Sequence, residues 1–432
     1  MGHRSGADRV RPSRFTQEGD AGPWCESRRP ADRAGPGRRP GGTASGAGHR
    51  ASDHRPHHRQ VRVNGGIAIG FFDLDPESFG AWAKEHDLPR YLGDQVLRWV
   101  YQRGVTDPEL MTDVSRRARS ILAEEIRFGD AIPITDRLAS DGTRKLLLGW
   151  PESERTRRIE PEVGTALPVM PEEPSRQTEC VMIPSDQRRT ACISSQVGCP
   201  VGCRFCASGL EGLEGNLTRG RIVEQAWRLG RLPGVDRITN VVFMGMGEPL
   251  ANYKAVTNAV RTLNAPWGMG ISARRITVST VGVPAAIRRF AGFDVPVTLA
   301  LSLHAPNDEL RREIIPWAEY STVEELVDAC RAYFDSCGRE ITLEYILLGG
   351  LNDRISHARE LSQHAKRLRC NINLIRYNEV AGLPFKRPES DDVHRFQAEL
   401  RRRGVNVHIR ASRGRDIAAA CGQLRHERRN AS

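Results

Sequence analysis

From Thr190 onward the chain alternates short apolar runs of strand length with amphipathic stretches of helix length, and this alternation limits its fold more than any other feature. Strands are predicted at 190–195, 238–244, 275–280, 296–302, 340–347, 370–376 and 405–410. Helices are predicted near 219–230, 252–264, 284–290, 322–336, 354–368 and 391–403. Repeated β–α units argue for a parallel sheet. Six such units fit a partial barrel or an open α/β sheet, and periodicity alone does not choose between them. In both, active sites form at the carboxyl ends of the strands.

The chain before Thr190 reads differently. Residues 1–62 hold 13 Arg and no Lys against 6 Asp and Glu, and so carry +7 of the net charge of +11. They are rich in Gly, Pro, Ser and His with little apolar periodicity, which predicts a disordered basic extension over 1–72. His54, His57 and His58 are metal-ligand types, but a solvated polar tract accounts for them better. A helical accessory domain is expected over 73–130. It opens at Asp75-Pro76-Glu77-Ser78, with helical spacing at Leu92, Val96, Leu97, Val100 and Tyr101, and again at Leu110, Met111, Val114, Ala118 and Leu122. A short β-hairpin and linker follow over 131–187, with one strand at 143–150, a return strand at 180–184 and a loop at 151–177. The α/β unit is expected over 188–425, and a tail over 426–432. No apolar run reaches membrane-span length and no secretory signal is evident. Ten cysteines without such a signal point to a reducing, cytoplasmic setting, where thiols serve as ligands, nucleophiles or core residues.

Cys199, Cys203 and Cys206 directly follow the first predicted parallel strand, in the spacing C-x3-C-x2-C. They supply three thiolates and no obvious fourth. On a four-iron cluster, three protein thiolates leave one iron open for a substrate. A zinc site completed by Cys192 or a distant His is the alternative. Gly198, Gly202 and Gly209 allow the loop to wrap closely. Other polar residues fall at later strand ends. Gly247-Glu248 follows the second, Ser279 ends the third, Ser302-Leu303-His304 ends the fourth and Asn378 follows the sixth. Each alone is better read as a turn or cap residue; together they share one face of the sheet. Cys192 and Cys421 are two further thiols, able to exchange through a disulfide if they meet, or else buried apolar residues.

The run Thr190–Cys199, the cysteine loop, Met244–Leu250, Ser302–Asp308 and Asp416–Leu424 together resemble the RlmN/Cfr family of radical S-adenosylmethionine (SAM) RNA methyltransferases, over roughly residues 75–425. The resemblance implies a partial (βα)6 radical-SAM barrel of the α/β class. It implies a [4Fe–4S] cluster on Cys199, Cys203 and Cys206, with SAM on its open iron. It also implies SAM contacts at Gly247, Glu248, Ser279, Ser302, Leu303, His304 and Asn378. Cys421 matches the family's methylated cysteine, Cys192 its resolving partner and Glu179 its proton acceptor. The implied reaction is C2 methylation of an adenine in 23S rRNA and in tRNA by a cytoplasmic monomer, with flavodoxin or ferredoxin as electron donor and a Cys192–Cys421 disulfide formed in each cycle. C8 methylation, as in Cfr, uses the same thiols, and a zinc-stabilised RNA-binding protein without catalysis is the non-enzymatic alternative. Arg116, Arg117, Arg119 and Arg401–Arg403 are candidate phosphate contacts. The chain departs from the family pattern at Arg376-Tyr377-Asn378-Glu379, where relatives read proline on both sides, and in the acidic, glycine-rich segment 207–217.

Overall fold

The computed structural model describes residues 68–151 and 176–424. The basic extension with His54, His57 and His58, most of the loop at 151–177 and the tail at 426–432 lie outside the described residues.

Three helices come first: α1 (Pro76–Glu85), α2 (Leu92–Tyr101) and α3 (Arg116–Glu125). Asp75 caps α1 by accepting the Ser78 N–H at 2.8 Å, and Pro76 sits in the first turn, where no amide hydrogen is needed. The predicted apolar face of α2 is buried at all five positions. The second predicted helix is shorter than its spacing suggests. Leu110 is exposed, and Met111 and Val114 are buried in the connection before α3. The helix begins only where the Ser115 hydroxyl takes the Ala118 N–H at 3.3 Å, and that cap overrides the apolar period.

A single sheet of ten strands follows: β1 (Ile132–Leu138), β2 (Arg144–Trp150), β3 (Arg176–Ser185), β4 (Arg188–Cys192), β5 (Asn240–Phe243), β6 (Ile276–Thr280), β7 (Thr298–Ser302), β8 (Ile341–Leu347), β9 (Cys370–Arg376) and β10 (Val407–Arg410). Neighbours in sequence are neighbours in space throughout. Strands β4 to β10 run parallel, while β1 to β4 pair antiparallel. The edge strands β1 and β10 do not pair, so the barrel stays open. Helices α4 (Arg219–Leu229), α5 (Tyr253–Asn264), α6 (Pro284–Ala291), α7 (Asp308–Ile314), α8 (Val323–Cys337), α9 (Ile355–Ala365) and α10 (Ser390–Arg402) make the six crossovers, α7 and α8 sharing one of them. Coverage of the sheet buries all seven residues of β8. Two features were not legible. Strand β1 carries Pro133, Asp136 and Arg137, which dilute its alternation, and the hairpin extends the main sheet instead of standing apart from it. Among the described residues no helix is long and apolar enough to cross a membrane.

Candidate active site

The cysteine loop leaves the sheet after β4. Residues Gln196–Gly198 pair with Leu213–Asn216 as a two-stranded ribbon that brackets it. Cys199 donates its amide to the Gly212 carbonyl at 2.8 Å, and Gly198 has a φ of +73° with that same carbonyl 2.0 Å from where a Cβ would stand. Only glycine fits there. Arg204 donates its amide to the Ile314 carbonyl at 3.0 Å, which ties the loop to the end of α7. Cys199, Cys203 and Cys206 line one cavity, open to solvent at its mouth. Burial, reinforced by the neighbouring thiols, pushes Cys199 up to about 12 and holds Cys203 and Cys206 above the usual thiol range. A bound metal body reverses that preference, because it takes the thiolate. Among the described residues no three His, Cys, Asp or Glu side chains close on a single-ion position. A cluster that gives each thiolate its own iron does not require one.

The carboxyl ends of β5 to β9 form the rest of the wall. Gly247 has a φ of +101°, and a Cβ there would lie 2.7 Å from Gln196 and Ser195 side-chain atoms. Glu248 is 3 % exposed; its Oε1 accepts the Leu250 N–H at 2.9 Å and its Oε2 the Val281 N–H at 2.7 Å. It braces β5 to β6 while facing the cavity, and burial raises its pKa. The Ser279 and Ser302 hydroxyls stand 3.1 Å apart at the ends of β6 and β7. His304 takes a φ of +60°, and its Nδ1 accepts the Ile346 N–H at 3.1 Å. Its ring proton is therefore on Nε2, and burial lowers its pKa to about 3, so it is neutral. Leu303 is fully buried in the core, outside the cavity lining. Its carbonyl accepts a hydrogen bond from Arg311, a buried guanidinium whose Nη1 has no partner among the described residues. Asn378 donates to the Cys421 carbonyl at 3.3 Å and accepts from Arg387 at 3.1 Å. At the departing position Glu379, Oε1 accepts the Arg387 amide at 3.4 Å and the backbone carbonyl accepts from Gln423 at 2.9 Å.

The C-terminal loop reaches the same cavity from the far edge of the sheet. Ala207 donates its amide to the Gly422 carbonyl at 2.8 Å, and the Ser208 hydroxyl donates to the Leu424 carbonyl at 2.7 Å. These bonds stitch the loop to the turn just after Cys206 and bring Cys421 into the cavity wall. Cys192, at the end of β4, packs with Val181, Met246, Ala419 and Leu424. Burial and then the nearby Cys421 push its pKa up to about 12. Arg410, at the carboxyl end of β10, lies 3.5 Å from Glu344 and lines the cavity beside Cys421. Cys421 is the chief cause that raises its proton affinity, against the opposing effect of burial. Glu179 sits on β3 outside the cavity lining, 2 % exposed, with Lys145 Nζ 2.7 Å from its Oε1.

Sequence reasoning missed Lys145, Arg311, Glu344 and Arg410. Arg410 could have been found by the strand-end rule already applied to its neighbours. Lys145 heads an apolar run, Leu146-Leu147-Leu148, and a cation in a strand buried on both faces is itself a signal. Of the candidate phosphate contacts, Arg119 is bonded to the Glu109 carbonyl, and Arg402 and Arg403 to Glu399. Arg116 and Arg117 are exposed.

A model of the radical SAM superfamily matches residues 193–361, and a model of the ribosomal RNA large subunit methyltransferase N-terminal domain matches residues 69–127. Fold, cavity and these matches define a radical SAM enzyme, a class that works with a [4Fe–4S] cluster and SAM. The dual-specificity RNA methyltransferase RlmN of Bdellovibrio bacteriovorus is 38 % identical over 358 residues, 82 % of this chain and 84 % of that one. A protein of Rhodopirellula baltica named "Probable dual-specificity RNA methyltransferase RlmN" is 42 % identical over 348 residues, 80 % of this chain and 88 % of that one. The crystal structure of a radical SAM methyltransferase from Sphaerobacter thermophilus superposes with a TM-score of 0.75 at 38 % identity, covering 83 % of this chain and 99 % of that one. The chain belongs to the RlmN family.

Proposed function

We propose that this chain methylates C2 of a specific adenine in 23S rRNA and in tRNA, with Cys421 carrying the methyl carbon. The observation that supports this most is the meeting of two sulfur sets in one cavity: three thiols from one loop and Cys421 from another, with Cys192 beside it. In this reading Cys199, Cys203 and Cys206 hold the cluster. Gly247, Glu248, Ser279, Ser302, Leu303, His304 and Asn378 hold SAM. When bound, these cofactors supply an activated methyl group and a carbon-centred radical, chemistry that no side chain here provides.

The chain's own residues do the rest. An adenine C2 is an sp2 C–H carbon, too poor a nucleophile to take a methyl group directly. The Cys421 thiolate takes it instead, as a thioether. After loss of one hydrogen atom, the thioether carbon bonds to C2. Glu179 accepts the proton released from C2, and the single electron that the adduct gives up would pass to the cluster held by Cys199, Cys203 and Cys206. The Cys192 thiol then attacks the Cys421 sulfur. A sulfur–sulfur bond forms, and the carbon–sulfur bond breaks with its electron pair on carbon, which takes a proton to become the methyl group. Two electrons and two protons from a cellular dithiol reopen the disulfide. A base reached in this way must leave its stack, which favours a loop nucleotide. A reduced flavodoxin or ferredoxin supplies the single electron, and the enzyme acts as a cytoplasmic monomer.

The modified-nucleoside profile of 23S rRNA and tRNA, from cells with and without this protein, tests the reading. Loss of 2-methyladenosine on deletion supports it. A change in 8-methyladenosine instead replaces C2 by C8. Purified protein that takes up zinc but no iron or sulfide removes the enzyme altogether.

A further inference from the structure

Lys145 and Glu179 are each 2 % exposed, with Nζ 2.7 Å from Oε1. Their strands place them together. Leu147 stands opposite Glu179 in the β2–β3 register, and Lys145, two residues along, shares that face as the diagonal neighbour. Removing an ammonium and a carboxylate from water is costly, and apolar residues of similar volume commonly serve stability as well or better. Packing alone therefore gives no reason for this pair.

The same ammonium has a second fixed partner. Lys145 Nζ donates to the Ala418 carbonyl at 3.1 Å, three residues before Cys421. Ala418 has a φ of +51°, in the left-handed region that residues with a side chain seldom occupy. Such a conformation persists where its surroundings impose it. The surroundings here are the turn of the β1–β2 hairpin. Ser140 donates its amide to Asp416 at 2.8 Å, and Gly414 donates its amide to Asp141 at 3.1 Å. Gly414 lies so close to Thr143 that a Cβ would stand 2.8 Å from its methyl carbon. Lys145 is the buried end of this series of ties, and it also holds the Glu179 carboxylate.

We propose that Lys145 is a positioning residue that joins the proton acceptor to the methyl carrier: one ammonium fixes the Glu179 carboxylate and the strained backbone that presents Cys421. The role rests on the reading above, in which Cys421 carries the methyl group and Glu179 takes the C2 proton. It places the requirement for Lys145 late in the cycle. Loading of Cys421 needs only the thiolate and SAM. Proton removal needs the carboxylate in register with the carbon attached to Cys421.

The test uses the full chain with its cluster reconstituted, as wild type, Lys145→Met, Lys145→Arg and Glu179→Gln. Mass spectrometry of the Cys421 peptide reads methyl loading, denaturing gels read protein–RNA adduct, and nucleoside analysis reads product. Lys145→Met should load Cys421 within about threefold of wild type yet lose about 10²-fold in product, the scale of a lost proton acceptor. Adduct should accumulate as it does in Glu179→Gln, and Lys145→Arg, which keeps the charge, should recover most of the product. If Lys145→Met melts below the assay temperature, Lys145→Gln replaces it, with the same split between loading and product expected. Equal losses of loading and product, or undiminished product, would overturn the role. A wild-type protein that makes product with no methyl on Cys421 would instead overturn the parent reading, and this role with it.

Discussion

Two loops bring sulfur to one cavity, and they are built in opposite ways. The Cys199–Cys206 loop is local: its three thiols lie within eight residues, and its shape is set by the short Gln196–Asn216 ribbon and by Gly198. The Cys421 loop is assembled from distant parts. Its neighbours are Ala207 and Ser208 on one side, Asn378 on another and Lys145 from the hairpin on a third. A metal-cluster loop can be written as a motif because its ligands need only one another. A thiol that must meet both a cofactor and a substrate has to be carried to them by the whole sheet.

Substitutions of the sulfurs separate the two loops most sharply. Cys203→Ala should abolish turnover by preventing cluster assembly, seen as loss of iron, sulfide and visible absorbance. Cys421→Ala should abolish turnover with equal completeness but leave iron and sulfide at wild-type levels and remove only the methyl loading of the protein. If Cys421→Ala lost its iron too, the two loops would be one structural unit.

Within the local loop, two glycines at positive φ differ. At Gly198 an added Cβ would meet the Gly212 carbonyl at 2.0 Å, whereas at Gly212 nothing among the described residues lies within 4 Å. Gly198→Ala should therefore lower iron occupancy several-fold. Gly212→Ala should cost only the conformational strain, about 1–2 kcal/mol in a denaturant titration, with iron retained.

That contrast also marks what was legible. The alternation after Thr190 located the seven parallel strands and every crossover helix except the short α7, because each element is written in its own residues. The strand-end rule brought Gly247, Glu248, Ser279, Ser302 and His304 to one cavity. It could not show that Glu248 spends both carboxylate oxygens on backbone amides, or that the Leu303 side chain is in the core. Glu179 and Cys421 were assigned from family resemblance alone. Lys145, which touches both Glu179 and the Cys421 loop, was missed because its partners lie 34 and 273 residues away. Periodicity does not report pairings at that range.

His304 gives a subtler test, on the wall between the loops. Folded, it stays neutral down to about pH 3; unfolded, it titrates near 6.5. Unfolding below that value therefore takes up a proton. The stability that His304 contributes is complete above pH 6.5 and falls away between about 6.5 and 3. Urea midpoints should drop more steeply over that window in wild type than in His304→Asn. Parallel curves would place His304 in solvent. The smallest effect expected is in thiol reactivity. With its pKa pushed up to about 12 and only 7 % exposed, Cys192 in the resting protein should react with iodoacetamide far more slowly than Cys421.

The central claim is that the methyl carbon travels through Cys421 before it reaches RNA. Turnover with SAM deuterated at all three methyl hydrogens tests it directly, with mass spectrometry of the methylated adenosine as readout. Passage through the thioether, with one hydrogen atom removed there and one proton gained at release, predicts a product methyl carrying two deuteriums. A product methyl that keeps all three would mean direct transfer from SAM to the base and would contradict the account.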